Sequence, residues 1–237
     1  MAPPANLVLQ HETNPDEKTI EAAARLYVEL FKDGMHTSVF ILRESIRAHR
    51  RISMTTGVLK PLSLISGELY TAKDENGELV GFTAWAPPGR ATFDTPDQLE
   101  MGYIDFVKQL DEDSRKFQSH LFREVLPKFV DESLEMENPK LTSGDRDWGC
   151  QGEKKTYWCW YAMVRPDYQG KGIARALFSM VYEKAKATGA TMALITNSRE
   201  NIAKYGKLGF KELGEIDVKS PWGEWPYYCM ARETKAS

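Results

Sequence analysis

The stretch YAMVRPDYQGKGIARAL, Tyr161 to Leu177, decides how the rest of the chain is read. Its start belongs to an apolar run, Tyr157 to Val164, that is hydrophobic on both alternating faces, as a central strand covered on both sides would be. Arg165-Pro166-Asp167-Tyr168 breaks the run. Its end opens a sharply patterned helix, with Ile173, Ala176, Leu177, Met180, Val181 and Ala185 on one face and Gly189 closing it. Gly170 and Gly172 lie between the two. Glycine lets the backbone approach a ligand closely, and the first N–H groups of a helix have no partner inside it. Helix polarity adds ~0.3–1 kcal/mol for a neighbouring anion, and Lys171 and Arg175 add positive charge. A pyrophosphate suits such a place. Two other phosphate motifs fit worse. A dinucleotide fingerprint would have Gly or Ala where Arg175 stands, and Gly144 to Gly149 has Walker spacing but is followed by Cys150 instead of Lys.

Downstream, Thr191 to Thr196 reads as an apolar strand, Arg199 to Leu208 as a short helix ended by Gly209, and Phe210 to Val218 and Pro226 to Ala231 as two final strands. Upstream, Asn6 to Gln10 reads as a first strand. Asn14 then caps a helix with Pro15 in its first position, and apolar residues recur from Ile20 to Phe31 before Gly34. A second helix is expected from about Thr37 towards Met54, with Gly57 beyond it. Leu69 to Lys73 and Leu79 to Trp85 flank Asn76-Gly77, a strong hairpin signal. Thr95-Pro96-Asp97-Gln98 starts a helical stretch that runs to about Met136, with apolar stripes through Tyr103, Phe106, Val107, Leu110, Phe117, Leu121 and Phe122. Asn138 to Lys155, with Pro139, Gly144, Gly149 and Gly152, reads as a long loop. Strands alternating with helices and ending in a strand pair predict an α/β or α+β sheet.

The chain of 237 residues is 42% hydrophobic and 27% charged, which is globular composition. A net charge of −3 carries no footprint for sequence-independent nucleic-acid binding. Cys150, Cys159 and Cys229 form no Cys-x-x-Cys unit, and His11, His36, His49 and His120 form no His-x-x-x-His unit, so no metal is expected. Met1-Ala2-Pro3-Pro4 lacks the basic and apolar regions of a signal peptide, and no apolar run approaches the ~20 residues of a membrane helix. The expectation is a cytoplasmic protein with no membrane or nucleic-acid partner; a homodimer is left open.

The Tyr161–Leu177 stretch resembles motif A of the GCN5-related N-acetyltransferase (GNAT) superfamily, whose Gln/Arg-x-x-Gly-x-Gly/Ala loop reads here Gln169-x-x-Gly172-x-Ala174. A second family motif follows in the expected order, Glu200-Asn-Ile-Ala-Lys-Tyr-Gly-Lys-Leu-Gly-Phe210. The close match covers about Trp158 to Phe210, and the front half matches in element order alone. The resemblance implies a mixed, mostly antiparallel twisted sheet flanked by helices in a single domain spanning 1–237, with residues 95–136 as a helical insertion between strands three and four. It also implies acetyl-CoA as cosubstrate, with pantetheine between strands four and five on the backbone of Met163 and Val164. The pyrophosphate would rest on amides of Gln169, Gly170, Lys171, Gly172, Ile173 and Ala174, with Asn201 near the cofactor arm. Tyr205 matches the tyrosine that protonates the departing thiolate, and a phenol with a pKa near ~10 carries its proton at neutral pH.

The implied activity is acetyl transfer to a primary amine of a small molecule by direct attack. The alternatives are a protein N-terminal or lysine acetyltransferase, or a non-catalytic acyl-CoA-binding module. Tyr205 as a core aromatic, Asn201 as a first-turn residue, and Trp158 and Trp160 as core packing are the bland alternatives. Cys159 is expected to be a buried small side chain, and Arg43, Arg47, Arg50 and Arg51 a solvated helix face. The run Tyr157 to Val164 contains no carboxylate, which leaves the general base among Asp94, Asp105, Glu224 or a water. Trp222 and Trp225 are placed either as walls of the acceptor pocket or as loop packing, and the 95–136 insertion is expected to cover one end of that pocket.

Overall fold

The computed structural model describes residues 3–31, 48–136 and 150–234. Seven strands form one sheet in the order β1-β2-β3-β4-β5-β7-β6: β1 Val8–Glu12, β2 Glu68–Lys73, β3 Leu79–Ala86, β4 Tyr157–Val164, β5 Met192–Thr196, β6 Lys211–Ser220 and β7 Gly223–Arg232. Every neighbouring pair is antiparallel except β4–β5. The sheet is thus the mixed, mostly antiparallel α/β architecture expected of the sequence.

Helices cover both faces. On one face lie α1 (Glu17–Leu30), α2 (Ala48–Pro61) and the helices between β3 and β4: α3 Pro96–Glu100, α4 Tyr103–Lys108, α5 Glu112–His120 and α6 Leu126–Ser133. Their apolar residues share a core with Phe82, Ala84, Trp158 and Tyr161. The short α7 (Gln151–Lys155) precedes β4. On the other face, α8 (Ile173–Thr188) buries Ile173, Leu177, Phe178 and Val181 against Tyr70, Val80, Trp85 and Cys159, and α9 (Arg199–Gly206) follows β5.

Several boundaries depart from the sequence reading, each for a local reason. Helix α1 is capped by Asp16, whose carboxylate accepts from Thr19 N at 2.8 Å, and not by Asn14. Helix α2 runs through Gly57 to Pro61. A Cβ at Gly57 would lie 3.0 Å from the backbone of Gly102 and Tyr103, so this glycine serves a close helix–loop approach and does not end the helix. The expected helix start at Thr37, Gly34, and the four-arginine face at 43–51 lie wholly or partly outside the described residues, as do 138–149 of the expected loop. Gln151–Lys155 is a helical turn instead of loop. The β2–β3 hairpin turns where expected, but only Gly77 takes positive φ (78°), while Asp74 Oδ1 accepts from the Asn76 and Glu78 amides at 3.0 Å.

The stretch 95–136 is helical, as its stripes predict, and it is anchored at α5. Phe117 on α5 packs edge-on against Trp222 at 5.7 Å and Trp225 at 6.1 Å. These two tryptophans therefore hold the insertion and do not wall the cavity. Phe117→Ala should lower stability by about 2 kcal/mol, less than a fully buried Phe would cost, and should speed proteolysis within 95–136. Denaturant unfolding with timed digestion reads both effects, and an unchanged digestion rate would show that the anchor lies elsewhere.

Candidate functional site

Strands β4 and β5 pair only at Tyr157↔Met192, Trp158↔Ala193 and Cys159↔Leu194. Beyond Cys159 they part. The partner register supplies the cause: Ala84 faces Tyr161 and the next residue, Trp85, faces Cys159, so Trp160 is an extra residue in β4. Such a bulge bends its strand and sharpens the twist. It also places Trp160 and Tyr161 on the same face of the sheet, with Cys159 and Ala162 on the other. A cavity of about 990 Å³ passes through the split and is walled from both faces.

On the α8 side the cavity begins at the glycine loop. Gly170 and Gly172 have φ of 74° and 81°, the left-handed region that favours glycine. Gly172 caps α8 without a side-chain bond. The backbone N–H groups of residues 170–175 make no hydrogen bond among the described residues. Gln169, Gly170, Gly172, Ile173 and Ala174 line the cavity together with Arg175, Lys204 and Lys207. Lys171 does not; its ammonium lies over the Tyr168 ring, 4.6 Å from the centroid.

Met163 and Val164 both border the cavity, but their amides face opposite ways. Arg165 N donates to Val80 O at 2.8 Å, and antiparallel alternation then directs the Met163 and Tyr161 amides to β3 and those of Ala162 and Val164 into the split. Of the two expected backbone positions, Val164 therefore offers its amide to the split, while the amide of Met163 is taken up by the sheet. Gln169 Nε2 donates to Val164 O at 3.0 Å, which ties the glycine loop to this strand end.

Asn201 and Tyr205 stand one turn apart on α9 and both line the cavity. Asn201 Nδ2 donates to Thr196 Oγ1 at 3.3 Å, and Asn201 Oδ1 accepts from Lys204 at 3.2 Å. The Tyr205 ring packs near Phe178 (5.9 Å) and Phe210 (6.0 Å). Burial, with the neighbouring Cys159, pushes its phenol above the usual range, so it stays protonated at neutral pH. Burial raises the Cys159 thiol as well, consistent with an inert side chain.

On the opposite side the lining is aromatic, with Tyr27, Phe31, Phe93, Tyr103, Phe122 and Trp158 among its residues. Phe93, Tyr103 and Phe122 come from the 95–136 insertion and the loop leading into it. Phe93 has a φ of 66°, unusual for a side chain of its size; its amide is held by Gln98 Oε1 at 2.8 Å and its ring lies 4.5 Å from that of Tyr103.

Into this chamber α7 brings Glu153, which the sequence reading did not single out. Cys150 Sγ accepts from Glu153 N at 3.4 Å, and Asp131 Oδ1 accepts from Gly152 N at 2.7 Å, which fixes the turn. The Glu153 side chain is 5% exposed. Its Oε1 accepts from Thr92 N at 2.9 Å and from the Trp160 indole at 3.0 Å. Burial raises its carboxyl to about 7 against these two hydrogen bonds. The carboxylates considered from sequence lie elsewhere. Burial opposes ionisation of Asp94, but bonds from Arg90 (2.6 Å), the Ala91 amide (3.2 Å) and Gln98 outweigh it and its carboxyl sits low. Asp105 pairs with Lys108 at 3.1 Å and Glu224 with Lys219 at 4.0 Å, both exposed. The sequence signal for Glu153 was faint. It is the third helical residue after a cysteine, not after the Ser or Thr of a capping box.

Residues 142–212 match the family model described as an acetyltransferase (GNAT) domain. Solved structures share the fold over nearly the whole chain at low identity. Histone acetyltransferase HPA2 and related acetyltransferase from Corynebacterium glutamicum superposes at a TM-score of 0.58, with 14% identity, covering 100% of this chain and 98% of that one. Mosquito arylalkylamine N-acetyltransferase like 5b gives 0.59 at 12% identity, covering 96% and 99%. Salmonella typhimurium yncA, solved with its cofactor acetyl-CoA, gives 0.50 at 14% identity, covering 98% and 96%. At these identities the likeness is one of fold. Residues 142–212 are thus similar to a GNAT acetyltransferase domain, and the chain as a whole shares the fold of these structures. Among the described residues no helix is long and apolar enough to cross a membrane, and no three His, Cys, Asp or Glu side chains group as metal ligands.

Proposed function

We propose that the protein transfers an acetyl group from acetyl-CoA to the primary amine of a small molecule. The observation that carries this is the continuous cavity that joins the unbonded amides of 170–175 to the aromatic chamber through the β4–β5 split. Its charged lining is mainly basic on the α8–α9 side, where Glu200 is the one acid among the described residues. Arg175, Lys204 and Lys207 border the loop end, where phosphates would sit, and the chamber end holds a carboxylate. In this reading the Ala162 and Val164 amides bind the cofactor arm and polarise the thioester carbonyl. Tyr205 supplies the proton for the departing sulfur, and Asn201 borders the arm. The small-molecule acceptor is supported by the insertion, whose aromatic residues help to line the chamber.

Release of free CoA, followed against a panel of small amines and N-terminal and lysine peptides, tests the proposal. Turnover of small amines is the expected result. Turnover of peptides alone would replace the acceptor class, and tight acetyl-CoA binding without turnover of any amine would reduce the protein to a binding module.

A further inference from the structure

We propose that Glu153 takes the proton from the acceptor's ammonium group, and that the acceptor is an amine with an uncharged, largely apolar body. This deepens the reading above and rests on it. Three observations converge on Glu153. It is hydrogen-bonded to Trp160, the extra residue of the β4 bulge and the first beyond the last β4–β5 pair, so its carboxylate sits at the opening of the split. Both of its hydrogen bonds fall on Oε1, and Oε2 accepts none among the described residues. Beside it Thr92, 2% exposed and lining the same cavity, carries a hydroxyl with no partner among the described residues. A buried acceptor and a buried unpaired hydroxyl in one chamber are the groups an ammonium would satisfy.

The surroundings fix the electrostatics. No cation pairs with Glu153 among the described residues; Lys154 on its own turn favours ionisation only weakly, and Asp94 opposes it. Cys150 and Asp131, the other titratable groups packed against α7, are held neutral or hydrogen-bonded by that packing: burial raises the Cys150 thiol, and Asp131 accepts from Gly152 N. A carboxyl at about 7 is poised to exchange protons at neutral pH. Glu153 is also the one charged residue among the described residues that line the chamber side, and the rest of that lining is mainly aromatic and aliphatic. An acceptor with its own carboxylate or phosphate would bring an anion against a chamber lining that holds no cation among the described residues.

The protons balance. The ammonium gives one proton to Glu153, and the freed nitrogen lone pair forms the C–N bond as the thioester C–S bond breaks. The sulfur takes a proton from Tyr205, and Tyr205 recovers one from the new amide nitrogen. Glu153 then releases its proton to solvent.

The test compares Glu153→Gln with wild type across pH on one good amine, with acetyl-CoA affinity measured in parallel. The amide keeps an oxygen for Thr92 and Trp160. The expected result is a fall in kcat of ~10²-fold, unchanged acetyl-CoA affinity, and loss of the wild-type limb in which kcat/KM rises with deprotonation near pH 7. A variant that keeps both rate and limb overturns the role while leaving acetyl transfer intact. Wild-type protein that turns over no amine overturns the underlying reading instead. If the Glu153→Gln variant fails to fold, infrared titration of the wild type decides: loss of a buried carboxylic-acid C=O band around neutral pH supports the role, and its absence contradicts it. Aryl- and alkyl-monoamines should exceed amino acids of matched size by at least ~10-fold in kcat/KM; parity overturns the acceptor class.

Discussion

Gly172→Glu is expected to weaken acetyl-CoA binding by ~10²-fold or more while the protein stays folded. Two effects add. The residue holds a φ of 81°, which costs an ordinary side chain ~1–2 kcal/mol, so a well-folded domain tolerates it. The larger effect is at the ligand: a carboxylate would stand at the helix start where residues 170–175 present unbonded amides to a pyrophosphate. A hundredfold loss corresponds to ~2.7 kcal/mol, within reach of one reversed charge and displaced amides. Gly172→Ala carries only the backbone part and should lose ~10-fold or less. Calorimetry on both variants reads the difference, and unchanged affinity in folded Gly172→Glu would remove the phosphate loop from the account.

The second large effect is expected at Tyr205. Tyr205→Phe keeps the ring that packs near Phe178 and Phe210 and removes only the hydroxyl. A fall in kcat of ~10²-fold with little change in acetyl-CoA affinity would mark a contact made mainly in the transition state. Because burial holds the phenol above its usual range, it stays protonated across neutral pH, and the deficit should be nearly constant from about pH 6 to 9. Full kcat in the variant would make Tyr205 a packing residue and leave the thiolate to solvent.

What could be read from sequence was what is local. The glycine loop, the α8 stripe and its Gly189 cap lie within thirty or so contiguous residues, and their geometry follows from helix termini and φ preferences alone. The hairpin at Asn76-Gly77 was legible for the same reason. Features decided by distant partners were not. That Gly57 lies inside α2 instead of ending it depends on its approach to Gly102, forty-five positions away. The opposite directions of the Met163 and Val164 amides depend on register with β3. Glu153 became visible only when the Thr92 amide and the Trp160 indole closed on it. Trp222 and Trp225 required Phe117 to show which way they pack. In each case the deciding atom belongs to an element far away in sequence.

The central claim is that one cavity through the β4–β5 split holds the cofactor on one side and the acceptor on the other. A crystal structure with CoA and an amine bound together tests it most directly. The predicted result has the pyrophosphate on the amides of residues 170–175, the pantetheine arm against Ala162 and Val164, the sulfur beside Tyr205, and the amine nitrogen in the chamber with Glu153 and Thr92. A cofactor bound outside the split, or an amine reaching the sulfur from outside the aromatic chamber, would contradict it.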